Sequence, residues 1–375
     1  MKHSFCEDWE FTRHWTEAFG KGLPVPKQQA VRLPHTCREV PLHYASPADY
    51  EMVCGYRKRF RVPPVQAAPR LFVRFDGAAH QAVVWVNGKV AGQHRGGYTG
   101  FTVEITDLVD REGENLLTVQ LDTREDPDIP PFGFVIDYLT YGGIYRAVSL
   151  DIKEPAYLRD VFIQAKAEGS FRIYSSTVGE TVGCALQAEI RSPAGAKAVY
   201  TGELALPITG TLNGVHPWSL DHPFLYTLTV RLIRPGTSGL PDRVLDEKTL
   251  RFGFRTIQFV AGGLYLNGQR VQIRGLNRHQ SYPYQGYAMP DSVQRLDAQY
   301  LKKELGCNAV RTSHYPNDPY FLHLCDVYGL YVIGETNLET HGTWQKLGAD
   351  DSDLWTIPGS RPEWREGVLA RAEAM

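Results

Sequence analysis

Between residues 271 and 337 the chain alternates short apolar runs with helix-length segments, and this alternation constrains the fold more than any other feature. "VQIRGLN" reads as a short apolar strand. "DSVQRLDAQYLKKELG" follows, with Val293, Leu296, Tyr300, Leu301 and Leu305 on one helical face. Asp291 is positioned as its N-cap with Gln294 three residues on, and Gly306 as its stop. The strand "CNAVRTSH" comes next, then a helix "PYFLHLCDVYG" opened by Asp318-Pro319 and closed by Gly329, then the strand "LYVIGETN". A β-α-β-α-β order at short, even spacing builds a parallel sheet, open or closed into a barrel.

The reactive side chains collect at the carboxyl ends of these strands. Asn277, Arg278 and His279 follow the first; Arg311, Ser313 and His314 end the second; Glu335, Asn337, Glu339 and His341 end the third. Parallel strands deliver their last residues to one rim, which in a TIM barrel carries the active site. An open doubly wound sheet also binds ligands there, but usually with a Gly-rich phosphate loop after its first strand, and "RGLNRHQ" has one glycine. Any one of these residues could be a solvated strand end. Three successive strands with this decoration point to a shared site. In Glu339-Thr340-His341 the outer residues point to one side of an extended chain, so carboxylate and imidazole can meet one cation or each other. Mg²⁺ prefers oxygen donors, whereas imidazole suits zinc and other transition metals, and the step alone leaves the choice open.

The upstream part reads differently. "RLFVRFDGAA", "HQAVVWVNGKVAG" and "ENLLTVQLDT" alternate apolar and polar residues with period two. Asn87-Gly88, between Val86 and Val90, has the composition of a type I′ hairpin turn. Residues 1–153 are expected to form an all-β jelly roll or sandwich, and residues 154–255 an immunoglobulin-like β-sandwich without the Cys…Trp…Cys spacing of antibody domains. Residues 256–375 hold the alternating segment. The total of 375 residues suits two to three domains. A net charge of −2 gives no footprint for nucleic acid. The six cysteines lack zinc spacing and read as reduced thiols; no apolar leader or membrane-length run is evident, so a cytoplasmic location is expected. The aromatic content of 11% suits sugar stacking and sandwich cores equally.

"RGLNRHQSYP", "NAVRTSHYPNDPYFLHLCDVYGLYVIGETNLETHG" and "DYLTYGGIYRAVSL" closely resemble glycoside hydrolase family 2. "LFVRFDGAAHQAVVWVNGKVAGQHRGGYTGF" is similar to that family's sugar-binding jelly roll, and "WSLDHPFLYTLTV" to its immunoglobulin-like domain. The resemblance implies a multidomain chain of jelly roll, immunoglobulin-like sandwich and TIM (β/α)8 barrel. "NLETHG" resembles the β-galactosidase branch, which implies Glu339 and His341 as Mg²⁺ ligands. By position it implies that His279, His314 and Asn277 bind sugar, and that Arg311 orients the nucleophilic carboxylate. It also implies that Asp137 reaches the sugar hydroxyls and an alkali cation, Na⁺ or K⁺. The implied substrate is a β-galactoside such as lactose, cleaved by retaining double displacement, in a protein that forms a homo-oligomer when complete. The chain departs from the pattern at Gly334, where an acidic residue is common, and at Gln280, where glutamate is.

Retaining glycosidases need two carboxylates about 5–5.5 Å apart. The family places its acid/base in an Asn-Glu step after the fourth barrel strand and its nucleophile on a later strand. Asp350, Asp351, Asp353, Glu363, Glu366 and Glu373 occupy no such position, and "RPEWREGVLARAEAM" reads as a helix. Both carboxylates are therefore expected beyond Met375, and the chain is expected to be an incomplete, by itself inactive part of the enzyme. A β-glucuronidase of the same family, a non-catalytic carbohydrate-binding protein and a subunit completed by a second polypeptide are the alternatives.

Overall fold

The computed structural model describes residues 1–41, 44–64, 69–126, 129, 136, 138–195, 197–203, 207–236, 241–339 and 362–375. The first unit is an antiparallel sandwich. One sheet orders Lys2–Ser4, Val148–Lys153, Arg70–Phe75 and Phe101–Glu104; the other orders Gln29–Val31, Trp9–Thr12, Val53–Phe60, Asn115–Asp122, Gln81–Val86 and Lys89–Arg95. The period-two alternation turns Leu71, Val73 and Phe75 of one sheet toward Tyr56, Val84, Val119 and Leu121 of the other, all within one buried cluster. Burying each such side chain contributes about 1.5–3 kcal/mol. Asn87 and Gly88 both take positive φ, 51° and 79°, and Val86 pairs with Lys89 across them, as a type I′ turn requires. Two one-turn helices, Glu17–Gly20 and Pro47–Tyr50, interrupt a region that reads in sequence as wholly β; Thr16 and Ser46 are their N-caps.

The second unit packs a sheet of Tyr157–Ala165, Ser170–Val178 and Ile208–Thr211 against one of Lys197–Glu203, Ala185–Arg191, Tyr226–Arg234 and Arg243–Phe252. Leu158, Ile173, Leu186, Leu228, Val230 and Phe254 fill the space between them.

The third unit opens with an antiparallel hairpin sheet, Ile257–Val260, Gly263–Leu266 and Gln269–Val271, which sequence periodicity does not reveal. "VQIRGLN" is therefore split: Val271 closes this sheet, and only Gly275–Asn277 forms the first parallel strand. Ala309–Arg311 and Tyr331–Ile333 are the second and third, paired in parallel in the order of the sequence. The connecting helices are Asp291–Gln299, which runs on into a π-turn at Tyr300–Glu304, and Pro319–Tyr328. The second is bounded as its sequence indicates. Asp318 accepts from Tyr320 N, Pro319 occupies the first turn, and Gly329 takes the left-handed conformation. A side chain at Gly329 would lie 2.2 Å from Leu220 O, so this glycine also admits the second sandwich.

The first helix corrects two expectations. Its cap position is Pro290, Asp291 lies within the first turn, and the Gln294 amide donates to Met289 O at 3.3 Å. Its buried stripe is Gln294, Ala298 and Leu301, while Leu296, Tyr300 and Leu305 are 45%, 51% and 59% exposed. Leu296 lies on the opposite side of the regular helix from Gln294 and Ala298, and beyond Gln299 the π-turn breaks the 3.6-residue phase by widening the helix.

The sandwiches hold the third unit from two sides. Tyr98, Tyr141 and Tyr145 of the first cluster with Tyr287 and Tyr315 of the third. Tyr287 Oη donates to Leu139 O at 2.8 Å, so its 2.7 Å bond with Tyr98 is donated by Tyr98. Trp218 of the second sandwich donates to Asp326 O at 2.9 Å, and Lys302 Nζ reaches Leu220 O and Gly329 O at 2.8 and 3.0 Å.

Candidate active site

The parallel register places Asn277, Arg311 and Ile333 level with one another, so the residues after them emerge at one edge. Two backbone bonds extend the ladder into the loops: Arg278 N donates to Arg311 O at 2.9 Å, and Thr312 N to Ile333 O at 3.0 Å. Side chains then diverge by alternation. Asn277 is exposed at its strand end. Arg278 turns inward and is 7% exposed. Its Nε bonds Asp297 Oδ2 at 2.9 Å, another nitrogen bonds Asn317 Oδ1, and its guanidinium lies 3.7 Å from the centre of the Phe321 ring. Burial lowers its pKa, with the Asp297 charge opposing. Arg278 is thus a brace beneath the rim, though its position in sequence groups it with the rim residues.

His279 and His314 come together at the edge, ring centroids 5.5 Å apart and nearly perpendicular. His314 faces two carboxylates: its Nδ1 lies 2.8 Å from Glu335 Oε2 and 3.3 Å from Glu339 Oε1. Arg311 Nε pairs with the other oxygen of Glu335, whose backbone N donates to Thr312 Oγ1 at 3.3 Å. Glu335, Glu339 and the His314 imidazole are each about one-fifth exposed, open enough for a ligand and dry enough for their charges to matter. Of the residues singled out by sequence, Arg311, His279, His314 and Glu339 meet in this site. Asp137 and His341 lie outside the described residues.

His314, Glu335 and Glu339 offer ligand atoms all within 4.8 Å of one another. Two carboxylates beside one imidazole fit a divalent cation, and the oxygen majority suits Mg²⁺ better than a soft metal. Glu335, which sequence reading placed on the rim without a metal role, belongs to this group.

The departures at Gln280 and Gly334 have local counterparts. Gln280 is 2% exposed and its Oε1 accepts from Asp318 N at 2.6 Å. The amide makes this bond without burying another negative charge beside Asp318. A side-chain carbon on Gly334 would come within 2.6 Å of Met375 Cε, the flexible end of a side chain that lies over it.

Of the first sandwich, sequence reading drew only Asp137 toward the site and missed Arg146 and Tyr138. Arg146 is 3% exposed and donates to Pro316 O at 2.8 Å and Tyr98 O at 3.1 Å, tying the loop after His314 to that sandwich. Tyr138 packs against both histidines, at 4.9 Å from His279 and 5.9 Å from His314. Both belong to "DYLTYGGIYR", where nothing local marks a contact across more than a hundred residues.

Three domain models match the chain in order: the sugar binding domain of glycosyl hydrolases family 2 over residues 26–155, a glycosyl hydrolases family 2 domain over 156–255, and the TIM barrel domain of that family over 257–375. A β-galactosidase of Thermoanaerobacter pseudethanolicus is 39% identical over 362 residues, which cover 93% of this chain and 47% of the relative. A β-galactosidase large subunit of Latilactobacillus sakei is 30% identical, covering 87% of this chain and 52% of the relative. An FMN-binding β-glucuronidase from Facaelibacterium prausnitzii L2-6 superposes with a TM-score of 0.77 at 30% identity, covering 88% of this chain and 51% of that one. The chain spans about half the length of the first of these relatives.

Proposed function

Because this chain belongs to glycosyl hydrolase family 2, with a jelly roll, an immunoglobulin-like sandwich and part of a TIM barrel, we propose that its rim is the sugar-binding part of a retaining β-galactosidase. The observation that carries this reading is the charge of the rim. Glu335 and Glu339 converge on His314, and Arg311 is already paired with Glu335. With no divalent ion bound, a uronate carboxylate would meet two carboxylates there against one arginine charge, whereas a neutral galactosyl unit meets none of that repulsion. The curated β-galactosidases favour the same substrate class; the solved neighbours include β-glucuronidases, the reading that this charge disfavours.

In this reading His279 and His314 hold sugar hydroxyls. A carboxylate only accepts, so His314 Nδ1–H donates to Glu335 and Nε2 is the nitrogen left for a sugar hydroxyl. These bonds strengthen as the ring flattens toward an oxocarbenium-like transition state. Glu339 would hold Mg²⁺, with Glu335 within reach, His341 as a further ligand and Asp137 serving an alkali cation, Na⁺ or K⁺. When bound, the divalent ion supplies a fixed positive charge that sets the position and acidity of a neighbouring carboxyl group.

Glu335 and Glu339 share one imidazole, a poor arrangement for flanking a glycosidic bond from two sides. We therefore assign the acid/base and nucleophile to neither, and expect the 375-residue chain by itself not to hydrolyse glycosides. With the purified chain, nitrophenol release from a nitrophenyl β-galactoside should stay at the uncatalysed rate. Robust turnover, lost in E335Q or E339Q, would assign the chemistry to this pair instead.

A further inference from the structure

Tyr138 extends from the first sandwich to the strand-end histidines of the third unit. Its ring centre lies 4.9 Å from His279 at an interplanar angle of 45°, 5.9 Å from His314 at 34°, and 5.6 Å from Tyr315 at 55°. It thus lies beside the histidine whose other neighbours are Glu335 and Glu339.

Its hydroxyl differs from three of the phenols around it, and shares its unpartnered state with that of the more deeply buried Tyr315. Tyr98, Tyr145 and Tyr287 spend theirs on protein partners: Tyr287, Gly97 O and Leu139 O. Tyr138 Oη is buried and has no protein hydrogen-bond partner among the described residues. A buried hydroxyl left in that state costs about 1–3 kcal/mol, so the position favours a ligand that completes it. A phenol keeps its proton at neutral pH, since its ordinary pKa is about 10, and can both donate and accept. An anionic ligand group would be repelled by the Glu335 and Glu339 carboxylates; a hydroxyl would not.

We propose that Tyr138 is a substrate-positioning residue of this site, its ring fixing the two histidines from the first sandwich and its hydroxyl bonding one hydroxyl of a neutral hexose. This rests on the glycoside-binding reading above. It makes recognition a joint property of two domains.

The test is calorimetric titration of the full 375-residue chain and its Tyr138→Phe variant with methyl β-galactoside and its 2-, 3-, 4- and 6-deoxy analogues. Phenylalanine keeps the ring packing, and circular dichroism checks that the fold is retained. The expected result is an affinity about 5- to 20-fold weaker in Y138F. One deoxy analogue should lose as much with the unsubstituted chain and lose nothing further with the variant. Equal affinities, or a loss that is uniform across all analogues, would overturn the hydroxyl's role. Tyr138→Leu, which also removes the ring, should weaken every analogue. Absence of galactoside binding by the unsubstituted chain would overturn the glycoside-binding reading, and this proposal with it.

Discussion

The Nδ1 of His314 lies 2.8 Å from Oε2 of Glu335, a contact between the ends of two adjacent parallel strands. It fixes which imidazole nitrogen carries a proton toward Glu335 and which is left for a ligand. Glu335→Gln retains an acceptor but removes the charge that holds both His314 and Arg311. Galactoside affinity should fall about 5- to 10-fold, as for loss of one charge-assisted hydrogen bond. Titration of the variant checks this, and an unchanged affinity would dissociate Glu335 from sugar binding.

The convergence of Glu335 and Glu339 predicts a cation effect. Addition of Mg²⁺ at a hundredfold excess over its Kd should stabilise the chain by about 2.7 kcal/mol. Chelator should reverse the rise in melting temperature, and Glu339→Ala should abolish it. A variant that keeps the full Mg²⁺ response would place the ion elsewhere.

Arg278 stands beneath the rim with its guanidinium divided among Asp297, Asn317 and the Phe321 face. Arg278→Ala leaves a buried Asn317 oxygen without its donor and a void over the ring. Destabilisation of about 3–5 kcal/mol is expected in urea unfolding. Lysine should recover little of it, because a point charge cannot serve a planar fork.

Much of this third unit was legible from short-range chemistry. Asp318, Pro319 and Gly329 bound their helix because a cap, a fixed φ and a left-handed stop act within a few residues. The convergence of His279, Arg311, His314 and Glu339 followed from strand order, since parallel strands share an edge. What remained hidden depends on distant partners. The exposed Leu296 and Leu305 repeat a helical period as well as buried leucines do; Leu296 lies across the helix from the buried Gln294 and Ala298, and the π-turn shifts the phase of Leu305 after it. Arg278 next to His279 resembles a second rim residue until Asp297 and Phe321 are seen to enclose it. Tyr138 and Arg146 meet the third unit across a tyrosine cluster that no local pattern encodes.

His35 of the first sandwich gives a pH dependence. Burial, aided by the Arg13 charge, lowers its pKa from 6.5 to about 4, and burial lowers that of His80 as well. The unfolded chain thus binds protons near pH 6.5 that the folded chain refuses until about pH 4. Stability is complete above pH 6.5 and declines as pH falls toward 4, by on the order of 2–3 kcal/mol for His35. Urea midpoints measured from pH 7.5 to 4 should show this fall, and His35→Gln should flatten part of it.

The charge of the rim is tested most directly by titrating the 375-residue chain, with a chelator present, with methyl β-galactoside and, in parallel, methyl β-glucuronide. The two ligands differ in the carboxylate that Glu335 and Glu339 should reject, and in one hydroxyl's orientation; methyl β-glucoside separates the second difference from the first. Saturable heat is predicted with the galactoside at millimolar concentration, and none with the glucuronide. Tighter binding of the glucuronide than of either neutral sugar would contradict the account.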